Sequence, residues 1–361
     1  MRALVLKTVE TLEIMDVPMP KLQPGEALVK VGKCGICGSD IRYFHGENPW
    51  GKQTLQKEIP NPPNIILGHE LAGIVVDVYH DEDRYLIGKR VGINSFITCG
   101  RCHFCRAGQE NLCRHTKHLG HGQGWGKREF YPGGMAEYCP AFAGQVYELS
   151  DRVTDEQATL LDPIIAALHA VDVAGPRILD VVAVQGAGPI GLLIAQIMKI
   201  QGAKTVAIAD IADTNLAVAK AVGVDHVVNV ADDNRSLLDL VMKVTDGLGA
   251  RRVFNTVGSS ESILESLQML ASMGVLVLMA TREKEFVVPS LMISGERAIK
   301  TSANALLSDF PKALDLLEMG MLKVDPLVTH RFPLSRAMEA FSVACNKDRH
   351  GAVKIILDCQ T

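Results

Sequence analysis

No stretch of this chain is apolar for long enough to cross a bilayer. The longest, Ile190 to Ile197, falls far short of the about 20 residues that a spanning helix needs. No signal peptide is legible either: the opening M-R-A-L-V-L-K-T-V-E has charges scattered through it and reads as a strand. Long basic tracts are missing and the formal net charge is −4, which argues against a nucleic-acid partner. There are no internal repeats, heptads or low-complexity segments. A disulfide frame is missing too. The cysteine total, 9, is odd, and free thiols beside a metal-type cluster fit a reducing cytosol better than secretion. These absences leave a cytoplasmic, globular chain of 361 residues, long enough for two domains with cores of their own.

What is present begins with four cysteines, Cys99, Cys102, Cys105 and Cys113, spaced C-x2-C-x2-C-x7-C. Thiolates gathered this closely suit a tetrahedral metal with sulfur ligands. A redox pair or stray buried thiols is the plainer alternative. An iron–sulfur cluster is the other rival, but the common ferredoxin run closes with three residues and a proline after the third cysteine. Here the last gap is longer and Arg114 follows. A closed four-sulfur zinc site has no open position for substrate, so it builds structure and does no chemistry. His103 and His115 are expected on the surface of this lobe.

The glycine run Gly186-Ala187-Gly188-Pro189-Ile190-Gly191 follows an apolar strand, Ile178 to Gln185, and opens an apolar helical stretch. In that setting G-x-G-x-x-G is a dinucleotide fingerprint: Gly186 for the turn, Gly188 for approach of the pyrophosphate, Gly191 for helix–strand packing, with Pro189 and Ile190 between. The next strand, T-V-A-I-A-D, ends in Asp210, roughly 20 residues beyond the loop, where a carboxylate accepts from the adenosine ribose and repels a 2′-phosphate. Ile211, Ala212 and Asp213 supply no cation, so NAD is favoured over NADP. The structural alternative for Asp210 is a turn or helix-capping residue. Further strands are expected at 226–230, 252–258, 274–280 and 298–303, with helices near 235–246 and 260–272. Alternation of this kind implies an α/β fold with a doubly wound parallel sheet. The first part of the chain has short strands broken by Gly- and Pro-rich turns, as in an irregular β domain, and the tail A-V-K-I-I-L (352–357) is expected to return to it.

Three further segments offer metal ligands: Cys37 in G-I-C-G-S-D, His69 and Glu70 in G-H-E-L-A-G, and Asp162 before Pro163. Singly, each has an ordinary reading as a core or capping residue. Together with the cysteine lobe, G-A-G-P-I-G and P-L-V-T-H-R-F-P-L (326–334), they resemble, in order and over nearly the whole chain, the zinc-dependent medium-chain alcohol and polyol dehydrogenases. The polyol-type branch (sorbitol, butanediol and threonine dehydrogenases) is the more similar, because Asp162-Pro163 stands where the liver-type branch has a cysteine.

That resemblance implies a GroES-like catalytic domain over 1–155, with the structural zinc lobe at about 95–115. It implies a Rossmann domain over 156–300, a return to the catalytic domain over 301–361, and a cleft holding zinc and nicotinamide. It also implies a homo-oligomer, dimer or tetramer. Cys37, His69 and Asp162 would hold a catalytic zinc, with Glu70 ligating directly or exchanging with water or substrate, beside one structural zinc per chain. Ser39 matches the hydroxyl that passes on the alcohol proton. Tyr43 matches an aromatic that lines the substrate pocket. The implied chemistry is hydride transfer from an alcohol carbon to NAD, the protein supplying orientation and charge.

The chain also departs from the family. Arg42 replaces a relay histidine and cannot act as a base; either the relay ends in water, or Arg42 contacts pyrophosphate or an acidic substrate. The pyrophosphate arginine expected near 301–310 is absent, with Asn304 or Arg42 as substitutes. Two insertions, one before His69 with Trp50 and one at 121–131 with Trp125, are expected as a lid or an oligomer contact. Cys34, Cys139, Cys345 and Cys359 read as packing or inert. The leading expectation is an NAD-dependent dehydrogenase of a polyol or sugar alcohol giving a ketone. The alternatives are an acidic or threonine-like 3-hydroxy acid substrate, kept open by Arg42, and a non-catalytic nicotinamide-nucleotide-binding protein, which predicts lost metal ligands.

Overall fold

A computed structural model describes residues 1–232, 236–280 and 285–361. The chain divides into two compact units, one of Met1–Asp162, Leu306–Gly320 and Val328–Thr361, the other of Pro163–Ala305 and Met321–Leu327. The first division thus falls after Asp162 rather than at 155. The short helix Asp155–Ala158, capped by Thr154, is tied into the first unit by Arg90, whose Nη2 lies 2.8 Å from Asp155 Oδ1. Residues 321–327 join the second unit, where the Lys323 N–H donates to Gln196 at 2.8 Å.

The first unit is built around the long strand Glu26–Ile36, the hub of a seven-stranded sheet. It pairs antiparallel with Glu70–Val78, with Tyr138–Phe142 and with the C-terminal strand Lys354–Asp358. Its alternate residues Val29 and Val31 pack with Leu71, Val75, Ile93, Phe341 and Leu357 in one buried cluster. The register sets Gly35 opposite Glu70 and Ile36 opposite Ile355. Strands from three distant parts of the sequence therefore deliver their ends to one place.

The second unit carries a six-stranded parallel sheet. In space the strands run His226–Asn229, Thr205–Asp210, Val181–Gln185, Ala250–Asn255, Leu270–Leu278 and Ala298–Thr301, so the chain reverses direction across the sheet between the strand after Gly175 and the one after Gly249. Such a reversal opens a crevice at the carboxyl ends of the two central strands.

Boundaries differ from expectation in several places. The first strand begins at Val181, leaving Ile178 and Leu179 exposed at 77 % and 68 %. The Asp180 carboxylate accepts from the Arg177 N–H at 2.8 Å and closes a turn there. The helix expected to 272 ends at Gln268, because Leu270–Leu278 is already strand, paired with Ala250–Asn255. The helix expected from 235 spans Leu237–Val244, and residue 235 itself lies outside the described residues. Among the described residues no helix is long and apolar enough to cross a membrane.

Candidate active site and metal centres

The cysteine lobe holds its four sulfurs at mutual distances of 3.9 Å (Cys99–Cys105), 3.5 Å (Cys102–Cys105), 4.0 Å (Cys102–Cys113) and 3.6 Å (Cys99–Cys113). Four ligands at the Zn–S bond length of about 2.3 Å in a tetrahedron stand about 3.8 Å apart, so the set fits that ion. Backbone N–H groups of Cys99, Cys102 and His115 point at these sulfurs at 3.4 Å each. Amide donors of this kind favour the thiolate; at Cys102 the backbone N–H of Cys105, helped by the neighbouring thiols, outweighs burial and pulls the thiol down to about 6. His103 and His115 are exposed.

The second cluster forms where the first unit's strands end. Cys37 is the N-cap of the helix Gly38–Phe44. Asp40, on the first turn of that helix and fully buried, accepts from the Cys37 N–H at 2.8 Å and from the Gly68 N–H at 3.2 Å. One carboxylate thus clamps both ligand-bearing turns. His69 follows Gly68, whose φ is +92°, and a Cβ there would sit 2.7 Å from Cys34 Sγ, so the turn admits only glycine. Ligand atoms of Cys37, His69 and Glu70 gather within 4.8 Å of one another. Asp162 stands outside that group, with Oδ2 3.9 Å from His69 Nε2 and Oδ1 accepting from Ser95 Oγ at 3.3 Å.

The electrostatics suit a cation. Burial opposes charge on His69, yet the neighbouring Asp40 and Cys37 overcome it and hold its pKa well up. Burial pushes the Asp162 carboxyl up as well. Among the described residues His69 Nδ1 has no hydrogen-bond partner and lies 3.6 Å from Asp40, so Nε2 is the nitrogen turned toward Asp162 and Ser39. A thiol, an imidazole and two carboxylates, with one ring nitrogen facing a buried carboxylate, make a donor set of the kind that suits a zinc ion.

Ser39 Oγ lies 3.5 Å from His69 Nε2 and 3.4 Å from His121 Nε2. Tyr43 is fully buried: its hydroxyl donates to Asn48 Oδ1 at 3.2 Å and receives Gln123 Nε2, and its ring stacks on His121 at 4.3 Å. It therefore backs the site rather than facing a pocket. Arg42 is turned to Glu47, with Nε 2.8 Å from Oε2. Of the two insertion tryptophans, Trp125 is a core anchor rather than a lid residue, 7 % exposed, stacked on Phe142 at 5.1 Å and donating to the His118 carbonyl at 2.8 Å. The first insertion is bound to Tyr43 through Asn48 and Asn61. Cys34, Cys139 and Cys359 are buried, whereas Cys345 is exposed.

Several site residues escaped sequence reasoning. Asp40 and Ser95 look like ordinary turn residues until their partners are known. Lys354 is buried and paired with Glu70, and its Nζ also donates to the Ile36 carbonyl at 3.3 Å. A lysine inside the apolar run A-V-K-I-I-L was the available signal. His118 and His121 stack on each other at 4.2 Å, and burial drives the His118 ring down to about 4.

In the second unit, the three fingerprint glycines meet different surroundings. Gly186 has φ +95° and its N–H donates to the Ala209 carbonyl at 2.8 Å. A Cβ on Gly191 would collide with the Gly186 carbonyl, whereas one on Gly188 would meet nothing within 4 Å among the described residues. The loop is thus packed on one side and open at Gly188, as a passing pyrophosphate requires. Asp210 accepts from the Ala187 N–H at 2.6 Å and from the Ala212 N–H at 2.9 Å, so it braces the loop as well as standing at the strand end.

Comparison with known proteins gives concordant results. The alcohol dehydrogenase GroES-like domain matches residues 23–151, and the zinc-binding dehydrogenase domain matches residues 189–319. L-threonine 3-dehydrogenase of Yersinia pestis (strain Pestoides F) is 30% identical over 361 residues, 98% of each chain. An alcohol dehydrogenase from Escherichia coli CFT073, complexed with NADH, is 26% identical with a TM-score of 0.85, covering 99% of this chain and 98% of that one. A structure from Sinorhizobium meliloti 1021, assigned to the zinc-binding dehydrogenases and bound to NADP, is 27% identical with a TM-score of 0.85 and the same coverage.

Proposed function

This chain belongs to the zinc-dependent medium-chain dehydrogenases, and from that premise we propose that it oxidises a secondary alcohol of a polyol or sugar alcohol to the ketone with NAD. The carrying observation is the buried convergence of Cys37, His69, Glu70 and Asp162, with the Ser39 hydroxyl against His69 Nε2. Cys37, His69 and Asp162 hold one zinc in this reading, with Glu70 held by Lys354 as a further carboxylate beside it. Cys99, Cys102, Cys105 and Cys113 hold a structural zinc. When bound, the first zinc supplies a Lewis acid that offsets negative charge developing on the alcohol oxygen.

The protein's own residues do the rest. Asp40 faces His69 Nδ1 and leaves Nε2 turned to the site, and the Ser95 hydroxyl holds Asp162 by a hydrogen bond. Ser39 takes the hydrogen bond of the reacting hydroxyl and so holds its proton. The carbinol carbon gives up hydride to the nicotinamide, and alcohol plus NAD⁺ becomes ketone, NADH and a proton. NAD rather than NADP follows from Asp210, which repels a 2′-phosphate, with no cation at 211–213 to bind one. Domain limits follow the two compact units, and a cytoplasmic homo-oligomer rests on the resemblance alone.

A second reading, a carboxylate-bearing 3-hydroxy substrate, is favoured by the threonine dehydrogenase relatives. Arg42, its anchor in the sequence reading, is paired with Glu47. The deciding experiment is NADH formation against polyols, sugar acids, hydroxy amino acids and simple alcohols, with metal measured on the same preparation. Turnover of polyols with two zincs per chain supports the first reading. Preference for carboxylates supports the second. No turnover with zinc fully loaded defeats both.

A further inference from the structure

In the second insertion the glycines alternate: G-H-G-Q-G-W-G over residues 120–126. Gly120, Gly122, Gly124 and Gly126 all take left-handed φ, at +74°, +73°, +73° and +67°. That conformation is open to glycine and costly for other residues. The three residues between them are all buried, His121 at 8 %, Gln123 at 6 % and Trp125 at 7 %. The glycines carry the bends, and each intervening side chain is turned into the protein. A Cβ on Gly120 would sit 2.6 Å from the Gly68 carbonyl oxygen, so the ribbon lies directly against the turn that carries His69.

Each inward side chain has its own place. Trp125 anchors the ribbon on Phe142. Gln123 donates to the Tyr43 hydroxyl and to Asn48 Oδ1. His121 is held between the rings of Tyr43 (4.3 Å) and His118 (4.2 Å). With both faces covered, only its edge is left to bond, and Nε2 on that edge is 3.4 Å from Ser39 Oγ. Ser39 Oγ is in turn 3.5 Å from His69 Nε2. The hydroxyl assigned to the reacting alcohol therefore lies between a metal-ligand nitrogen and a histidine fixed by the ribbon.

Resting on the polyol reading, we infer that His121 is a substrate-binding residue whose imidazole edge hydrogen-bonds the hydroxyl next to the one being oxidised, so that the site selects vicinal diols over simple secondary alcohols. An imidazole edge both donates and accepts, as a hydroxyl does. A simple alcohol presents a hydrocarbon group at that edge and forgoes the added hydrogen bond, so a buried polar edge meets hydrocarbon, a mismatch worth roughly 10- to 100-fold in kcat/KM. The alternating glycines are then the device that delivers His121.

The test compares kcat/KM for 2,3-butanediol and 2-butanol in the wild-type enzyme, His121→Phe and His121→Gln, with zinc content and thermal midpoint recorded for each. His121→Phe keeps a ring in the stack and removes both nitrogens; His121→Gln keeps a polar edge. Expected is a fall of roughly 10- to 100-fold in the diol-to-butanol preference for the Phe variant, carried mainly by the diol KM, and partial recovery with Gln. Calorimetric titration of the NADH-loaded enzyme with the diol shows the same loss of affinity. An unchanged preference, or loss of zinc together with equal loss on both alcohols, overturns the inference. A wild-type enzyme that turns over only carboxylate substrates overturns the polyol reading instead, and that result is seen before any variant is made.

Discussion

Replacing Lys354 by methionine removes one half of an ion pair that water does not reach. The side chains of Lys354 and Glu70 are 3 % and 1 % exposed. They meet over Gly35, where a Cβ would collide with Glu70 Oε2 and lie 2.9 Å from Lys354 Cε. Burial alone would push the Lys354 ammonium down, but Glu70 and Cys37 more than offset this and its pKa is raised. Removing one partner of such a pair leaves a buried charge uncompensated and costs about 3–5 kcal/mol. At about 2–4 °C per kcal/mol for a unit of this size, the low end alone lowers the thermal midpoint of Lys354→Met by about 6–12 °C. Glu70→Gln in the same chain removes the stranded charge, so the double variant recovers much of the loss. Urea denaturation of the four proteins in a double-mutant cycle measures the coupling. Additivity of the two single changes within about 0.5 kcal/mol would show that the two groups do not interact and would refute the reasoning.

Other consequences follow from named contacts. Gly188→Ala, with open space for its Cβ, should leave the melting temperature close to wild type and weaken NADH binding seen by fluorescence, whereas Gly191→Ala, which collides with the Gly186 carbonyl, should lower both; equal behaviour of the two contradicts the packing assigned to the loop. Cys105→Ser should remove one zinc of two and lower stability while the ligands around His69 keep theirs, checked by metal analysis per chain. For Asp358, burial raises the carboxyl but Lys33 at 2.7 Å and the Gln360 N–H outweigh it, so its folded pKa is depressed. Its contribution is therefore present above the unfolded value of about 3.9 and lost as pH falls below it. Asp358→Asn should lower stability at pH 7 and flatten that acid limb; an unchanged limb in pH-dependent unfolding refutes the assignment.

Local chemistry explains which features were legible in the chain alone. The four-cysteine lobe and the G-A-G-P-I-G loop are short-range signals: ligand spacing and a strand–turn–helix context carry them, and the folded positions follow. The parallel strands were legible because buried strands are continuous apolar runs. Their starts were less so, since Asp180 ends the apolar run of Ile178 and Leu179 by a side-chain turn that hydropathy does not register.

The sequence by itself thus determined the family, the two folds and the spacing of the four cysteines, and it put forward Cys37, His69, Glu70 and Asp162 as ligands to propose. Only the tertiary structure decided what stands around them. The register of Glu26–Ile36 against Glu70–Val78 and Lys354–Asp358 brings Lys354 to Glu70 across a separation of hundreds of residues. Asp40 reaches two turns at once because helix and strand ends converge on it. His121 reaches Ser39 because four left-handed glycines fold an insertion inward. Tyr43 and Arg42 took other partners for the same reason. Which side chain a buried polar group bonds depends on distances between segments that have no neighbour relation in the chain, and those distances exist only after the strands have paired.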